Sequence, residues 1–387
     1  MPATPEEGSD FFIAGFESAS QRRADGARLD LVQATAHDRW AATDYRQCGS
    51  LGLRTVRDGL RWHRIESRPG LYDWSSWTPM LEAAEEIGVR VIWTLHHYGA
   101  PDHLCLGNQQ YVDRFSHFAA AVVKRHREIT GRPALICPMN EISFHAWAVG
   151  VNYFANDNAL DSQSAKRCLV QAALAAVRSM RSADTACRMI WSEPLIHVAP
   201  HSALQERPAE QYRLAQFEAY EMLMGSLEPE LGGTGDIVES IGLNYYPHNQ
   251  WYFEGSTIAL GHHAYRPLAD MLAEVHERFA RPVWIAETGA EGSARAAWLH
   301  YVCDEVRAAE QRGVPITGVC LFPVTCYPGW DDARSVETGL LTAANAAGER
   351  TIYAPLLQEL QRQRTLRAIP AQFPTINLSL RRQTQAL

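Results

Sequence analysis

The chain has no C-x-x-C pair among its eight cysteines, no excess of basic residues, no long apolar run and no glycine-rich phosphate loop. Each absence excludes something. Cys48, Cys105, Cys137, Cys168, Cys187, Cys303, Cys320 and Cys326 stand singly, so neither a zinc knuckle nor a redox pair is expected, and a reduced compartment fits best. With 36 Lys+Arg against 44 Asp+Glu, the net charge is −8. That leaves no concentrated basic face for a nucleic acid or an anionic membrane. The N-terminal MPATPEEGSDFF lacks the basic and apolar regions of a secretory signal, and no apolar run approaches the roughly 18 residues of a membrane span. A cytoplasmic protein without a membrane partner is the expectation. No G-x-G-x-x-G or G-K-[ST] loop calls for a nucleotide. The pair His262-His263 has no third ligand at useful spacing, which reads as exposed loop histidines. Neither cofactor nor metal is expected.

What is present is an ordinary globular composition, 387 residues and 46% hydrophobic, with 11 Trp and 14 Tyr. Short β-branched and aromatic runs recur at 11–16, 53–60, 89–95, 134–140, 188–192, 240–246, 282–286 and 316–322. Amphipathic helical patterns separate them at 74–87, 111–129, 162–182, 209–225, 265–279 and 295–312. Runs such as VRVIWTL and PVWIA alternate little, as expected of a parallel sheet covered on both faces. The pattern predicts an α/β fold, a single (β/α)8 TIM barrel over residues 1–365, with 366–387 as a peripheral tail.

In such a barrel the active site forms at the C-terminal strand ends. The third run ends in His96-His97-Tyr98, the fourth in Asn140-Glu141, the sixth in Asn244-Tyr245-Tyr246 and the seventh in Glu287-Thr288-Gly289. Two carboxylates, Glu141 and Glu287, then face each other across one mouth. Glycoside cleavage needs such a pair, one acid to protonate the leaving oxygen and one carboxylate at the anomeric carbon. Aromatic faces suit sugar rings, and Asn, His, Gln and Arg suit their hydroxyls. His96 is expected to pack in the barrel. Glu193, after the fifth run, either lines the mouth or packs behind it, and Trp251-Tyr252 form either a ligand platform or a packed loop.

These residues resemble glycoside hydrolase family 1, the β-glucosidase-like family of the clan of (β/α)8 retaining glycosidases. GFESASQ (15–21) is similar to the family's S-A-Y-Q segment, RDGLRWHRI (57–65) to R-x-S-x-x-W-x-R-I, and TLHHYGAPDHL (94–104) to T-L-x-H-W-D-x-P-x-x-L. PMNE carries the N-E of N-E-P, SIGLNYY (240–246) is close to I-G-x-N-Y-Y, and VWIAETG (283–289) resembles I-x-I-T-E-N-G. The resemblance implies a retaining β-glycosidase that hydrolyses β-glucoside-like O-glycosidic bonds by double displacement through a covalent glycosyl-enzyme. It makes Glu287 the nucleophile and Glu141 the acid/base. Gln21, Arg57, His97, Asn140, Tyr246 and Trp330 become substrate-binding or supporting residues. The expected partner is a small-molecule or oligosaccharide glycoside. On this reading Tyr246 and Arg57 keep Glu287 ionised, and a dry setting near Trp147 keeps Glu141 neutral.

Three departures stand out. Ile142 replaces the Pro after the acid/base, and Thr288 the Asn after the nucleophile. Where the family has W-S-L-x-x-x-x-E-W, this chain reads FPVTCYPGW, so Phe322 stands for the first Trp, and Gly329 for the sugar-gripping Glu. Asp331 or Asp332 offers a replacement carboxylate. Alternatives within the clan are an endo-acting glycanase, a mannosidase or galactosidase, and a transglycosylase. Outside it stands a non-catalytic carbohydrate-binding barrel. A phospho-sugar hydrolase would want cations after the eighth run, where only Arg334 is found.

Overall fold

In the computed structural model residues 10–332 and 334–368 are described. The apolar runs form strands β1 (Phe12–Gly15), β2 (Thr55–Gly59), β3 (Arg90–Thr94), β4 (Leu135–Cys137), β5 in two pieces (Arg188–Met189 and Glu193–Pro194), β6 (Ile241–Asn244), β7 (Val283–Thr288) and β8 (Ile316–Leu321). Parallel pairing runs from the first piece of β5 through β4, β3, β2, β1, β8, β7 and β6 to the second piece of β5. Arg188 registers with Leu135 and Glu193 with Leu243, so one interrupted strand closes the ring. The fold is a (β/α)8 barrel.

Helices Gln109–Thr130, Ser162–Ala183, Leu268–Phe279 and Arg295–Gln311 lie close to the expected positions. Asp161 caps the second, accepting from the Ser164 amide at 2.7 Å. The pattern at 209–225 is not one helix: a 3-10 turn, Ala215–Phe217, separates Glu206–Leu214 from Glu218–Met224. Helices His37–Ser50 and Ile142–Gly150 were not marked by the apolar pattern. The inner face of the first carries His37, Asp44 and Tyr45 in place of aliphatic residues. Helix Ala354–Ala368 runs through the boundary expected at 365, and the rest of the expected tail, 369–387, lies outside the described residues. No helix among the described residues is long and apolar enough to cross a membrane.

Alternation along the strands sorts side chains between two layers. Phe12, Ala14, Val91, Trp93, Ile136, Val283 and Ile285 join the layer under the helices. Ile13, Ile92, Cys137, Trp284, Ala286, Cys320 and Phe322 fill the barrel interior. Gly15 is required there, because a Cβ on it would lie 2.2 Å from the Phe322 ring. Arg57 caps this plug, with its guanidinium carbon 5.4 Å from the Phe322 ring centre. Register shifts between Ile285 and Glu287 mark a bulge in β7. A bulge breaks the alternation set by Trp284 and Ala286, and so re-aims the next side chain, Glu287, toward the open end.

A second charged group is buried behind β1 and β2. Asp58, the outward neighbour of Arg57, meets His37 Nε2 at 2.8 Å and the Tyr45 hydroxyl. His37 Nδ1 lies 2.7 Å from Asp44, which also receives Arg350 Nε at 2.7 Å. Burial alone would depress His37, but Asp58 and Asp44 together push it up to about 9, so it is an imidazolium bridging two carboxylates.

Candidate active site

The strand ends enclose a cavity of about 1090 Å³. Glu287 stands at its floor, 4% exposed, with Oε1 2.6 Å from Arg57 Nη1 and Oε2 accepting from the Tyr246 hydroxyl at 2.8 Å. Burial raises its pKa, and the Arg57 charge and the Tyr246 hydrogen bond pull it back toward the anion. Arg57 Nη2 also donates to Asn140 Oδ1 at 2.5 Å and to Ser192 Oγ at 3.1 Å. Nη1 donates in addition to the Ala286 carbonyl at 3.3 Å, so both Nη atoms are engaged by protein acceptors.

Glu141 follows β4 and has different company. Its oxygens accept from the Tyr98 hydroxyl and, at 2.9 Å, from Asn244 Nδ2. Both donors are neutral. Burial, then the charge of Glu287, pushes Glu141 up to about 8, and these two hydrogen bonds only moderate the rise.

The structure gathers Arg57, His97, Asn140, Glu141, Tyr246, Glu287 and Trp330 around this cavity, with Arg57 and Asn140 in the layer beneath its lining. Gln21 is not brought there. It faces a separate space of about 70 Å³ that Tyr98 also borders. The cause is local: Leu29 donates to the Gln21 carbonyl and Arg22 bridges Arg28, so Gln21 opens a small hairpin that leaves the mouth. In its place Ser18 Oγ meets His97 Nδ1 at 2.9 Å, and Glu17 lines the cavity. Glu17 Oε1 accepts the Ala19 amide at 3.0 Å and lies 3.8 Å from His97 Nε2. Burial, with a further push from Glu287, raises Glu17 to about 8. Burial and the nearby Arg57 charge hold His97 far below its usual value, so its ring is neutral.

The remaining sequence candidates divide. His96 packs inside, Nε2 2.6 Å from the Tyr111 hydroxyl, and burial pushes it down to about 3. Trp251 lines the cavity, whereas Tyr252 stacks on His201 at 4.0 Å. Asp331 and Asp332 lie at the rim, where the Tyr153 hydroxyl donates to Asp331 and the Arg334 amide to Asp332. Trp147 also lines the mouth, 39% exposed, and the hydrogen bonds to the Glu141 carboxyl come from Tyr98 and Asn244. Glu193 is 2% exposed and does not line the cavity. His262 and His263 are exposed, and no cluster of three or more potential metal ligands occurs among the described residues.

Sequence reasoning missed Glu17 and Tyr98 as site residues. The inward alternation Ile13, Gly15, Glu17 along β1 was the available signal for the first. Tyr98 carried no periodic signal, because its backbone is left-handed, φ 65°, and turns it out of the strand pattern.

No family model matches the chain, and no curated protein matches it in sequence. Solved structures do. A β-glucosidase from Thermotoga maritima in complex with deoxynojirimycin is 15% identical, with a TM-score of 0.74 over 95% of this chain and 99% of that one. The AHE enzyme from Alicyclobacillus herbarius gives 17% identity and a TM-score of 0.73 over 95% and 99%. The virulence factor SghA, in complex with its substrate analog salicin, gives 15% and 0.73 over 91% and 95%. At these identities the likeness establishes a shared barrel architecture along nearly the whole chain.

Proposed function

We propose that this protein is a retaining β-glycosidase. The observation that carries the reading is the pair of buried glutamates in opposite surroundings, Glu287 against a guanidinium and Glu141 against neutral donors. Glu287 attacks the anomeric carbon and forms a glycosyl ester as Glu141 gives its proton to the departing oxygen. Water, deprotonated by Glu141, then releases the sugar. Retaining enzymes need their carboxyls about 5–5.5 Å apart, and inverting ones about 6.5–9.5 Å. Glu287, held by Arg57 and Tyr246, suits the nucleophile of the narrower class. The similarity to structures described as β-glucosidases supports the same reading.

The substrate class follows from the cations. Arg57 is occupied, Lys166 is bound to Glu218 and Arg334 to Glu291, and His97 is neutral. No spare positive charge awaits a phosphate or carboxylate among the described lining residues, whereas Glu17 offers a carboxyl oxygen to hydroxyls. The glycone is therefore uncharged. The cavity exceeds the roughly 300–1,000 Å³ of a drug-sized pocket, and Trp147, Tyr212 and Trp251 line it, which favours an aryl or oligosaccharide aglycone.

The test is a panel of aryl β-glycosides, gluco, galacto, manno, fuco, xylo and 6-phospho, with wild type and Glu287→Gln, and NMR of the first-formed anomer. Turnover of a neutral sugar with retained configuration, lost in the variant, is expected. An active Glu287→Gln protein or an inverted product overturns the reading. Turnover of the 6-phospho glycoside overturns only the uncharged-glycone part.

A further inference from the structure

We propose that Glu193 is a positioning residue for the general acid: its carboxylate, by accepting the backbone amides of Ile142 and Ser143, holds Glu141 in the conformation that aims it into the cavity. This rests on the assignment of Glu141 as acid/base. Glu141 has φ 46° and ψ 63°, the left-handed region, which is unfavourable for a residue with a Cβ. Such a conformation persists only where its neighbours fix it.

The neighbours come from one short stretch. The Ser192 carbonyl accepts the Glu141 amide at 2.9 Å, and Ser192 Oγ reaches Asn140 Oδ1 at 2.5 Å. The next residue, Glu193, receives Ile142 N at 2.5 Å and Ser143 N at 3.0 Å. These amides open helix Ile142–Gly150, whose own N-cap, Glu141, makes no side-chain capping bond. Glu193 supplies the missing cap from the adjacent strand and leaves the Glu141 carboxyl free for the cavity. The sequence departure fits this arrangement. A proline after the acid/base would carry no N–H and would fix its own φ, whereas Ile142 presents a buried donor, and Glu193 satisfies it. Glu193 does not line the cavity, so any effect on turnover passes through Glu141.

The experiment compares phenyl and 2,4-dinitrophenyl β-glycosides of the sugar that wild type hydrolyses. A dinitrophenolate departs without a proton, and a phenolate needs one. Glu193→Ala is expected to lower kcat/KM for the phenyl substrate about 100-fold and for the dinitrophenyl substrate about 3-fold, since general acid catalysis contributes about 10²–10⁴. Ile142→Pro alone is expected to be damaging, because ring carbon would enter the space of the Glu193 carboxylate. In the Glu193→Ala background the same change removes the orphaned donor and fits the first helical position. The double variant is therefore expected to recover at least about 10-fold on the phenyl substrate over Glu193→Ala. Melting curves establish that each variant is folded. If Glu193→Ala does not fold, Glu193→Gln, which accepts one amide and not two, is expected to show the same leaving-group bias at smaller size. Equal losses on both substrates, or no recovery in the double variant, overturn the proposal. Wild type inactive on every glycoside overturns the assignment of Glu141 itself.

Discussion

Two groups of buried charges lie on opposite faces of the same strand, β2. On its outer face Asp58 joins His37, Asp44, Tyr45 and Arg350, where every carboxylate has a cation and burial is outweighed: Asp44 lies below its ordinary value. On its inner face Arg57 is bonded to Glu287 in a site that also holds Glu141 and Glu17, and all three carboxyls have their pKa raised. The outer group has balanced charge and is buried behind β1 and β2. The inner group is under-paired and borders a large cavity. A folded chain tolerates such frustration where the unpaired groups serve a ligand. On the function proposed above, the outer cluster is expected to serve stability and the inner one chemistry.

The largest expected effect tests the inner side. Glu141→Ala should lower kcat/KM for an unactivated glycoside by about 10²–10⁴, with stability equal to or above that of wild type, because a buried acid repelled by Glu287 is removed. A matching loss of stability would erase the distinction between the two regions. Asp44→Asn should do the reverse. It leaves the guanidinium of Arg350, whose side chain has no exposed area, without its carboxylate, a change that costs about 3–5 kcal/mol. Urea unfolding measures this cost. The kcat/KM of the folded protein should stay near that of wild type, and a selective kinetic loss would tie the outer cluster to the site through the Arg57–Asp58 backbone.

The same contrast explains what could be read in advance. The barrel was legible because its strands are apolar on both faces and its site residues close those runs. Glu141 and Glu287 could be paired for that reason, whereas Arg57, His97, Asn140, Tyr246 and Trp330 were named from the family resemblance. Helix His37–Ser50 was not legible, since the face it buries is charged, and a hydrophobic pattern cannot register His37 or Asp44 as core. Gln21 lies outside the lining of the large cavity because the chain enters a hairpin at that residue, which motif order does not encode. The role proposed for Glu193 was out of reach for a different reason. It depends on the backbone amides of Ile142 and Ser143, and no side-chain pattern encodes where two amides point.

The smallest expected effect sharpens the comparison most. Glu17→Gln keeps an oxygen for the Ala19 amide and removes a titrating group from the inner site. In the unfolded chain Glu17 ionises near 4.5, and in the cavity near 8. The folded state holds the proton more tightly, so the stability linked to that proton is present below pH 4.5 and is lost as pH rises to 8. Wild type alone does not reveal this. Buried histidines such as His96 and His97, held below 6.5, lose stability in the opposite direction as pH falls, and His37, raised to about 9, adds its own loss between 6.5 and 9. The difference between variant and wild type cancels these contributions. The stabilisation by Glu17→Gln should be close to nil at pH 4.5 and grow to on the order of 3 kcal/mol at pH 7, as read from denaturant midpoints at several pH values. KM for the preferred glycoside should rise about 10-fold with a smaller change in kcat, the loss of one good hydrogen bond to a hydroxyl. A stability difference that does not vary with pH would mean that Glu17 is ionised in the empty cavity and compensated as fully as Asp44, and the two regions would no longer differ in kind.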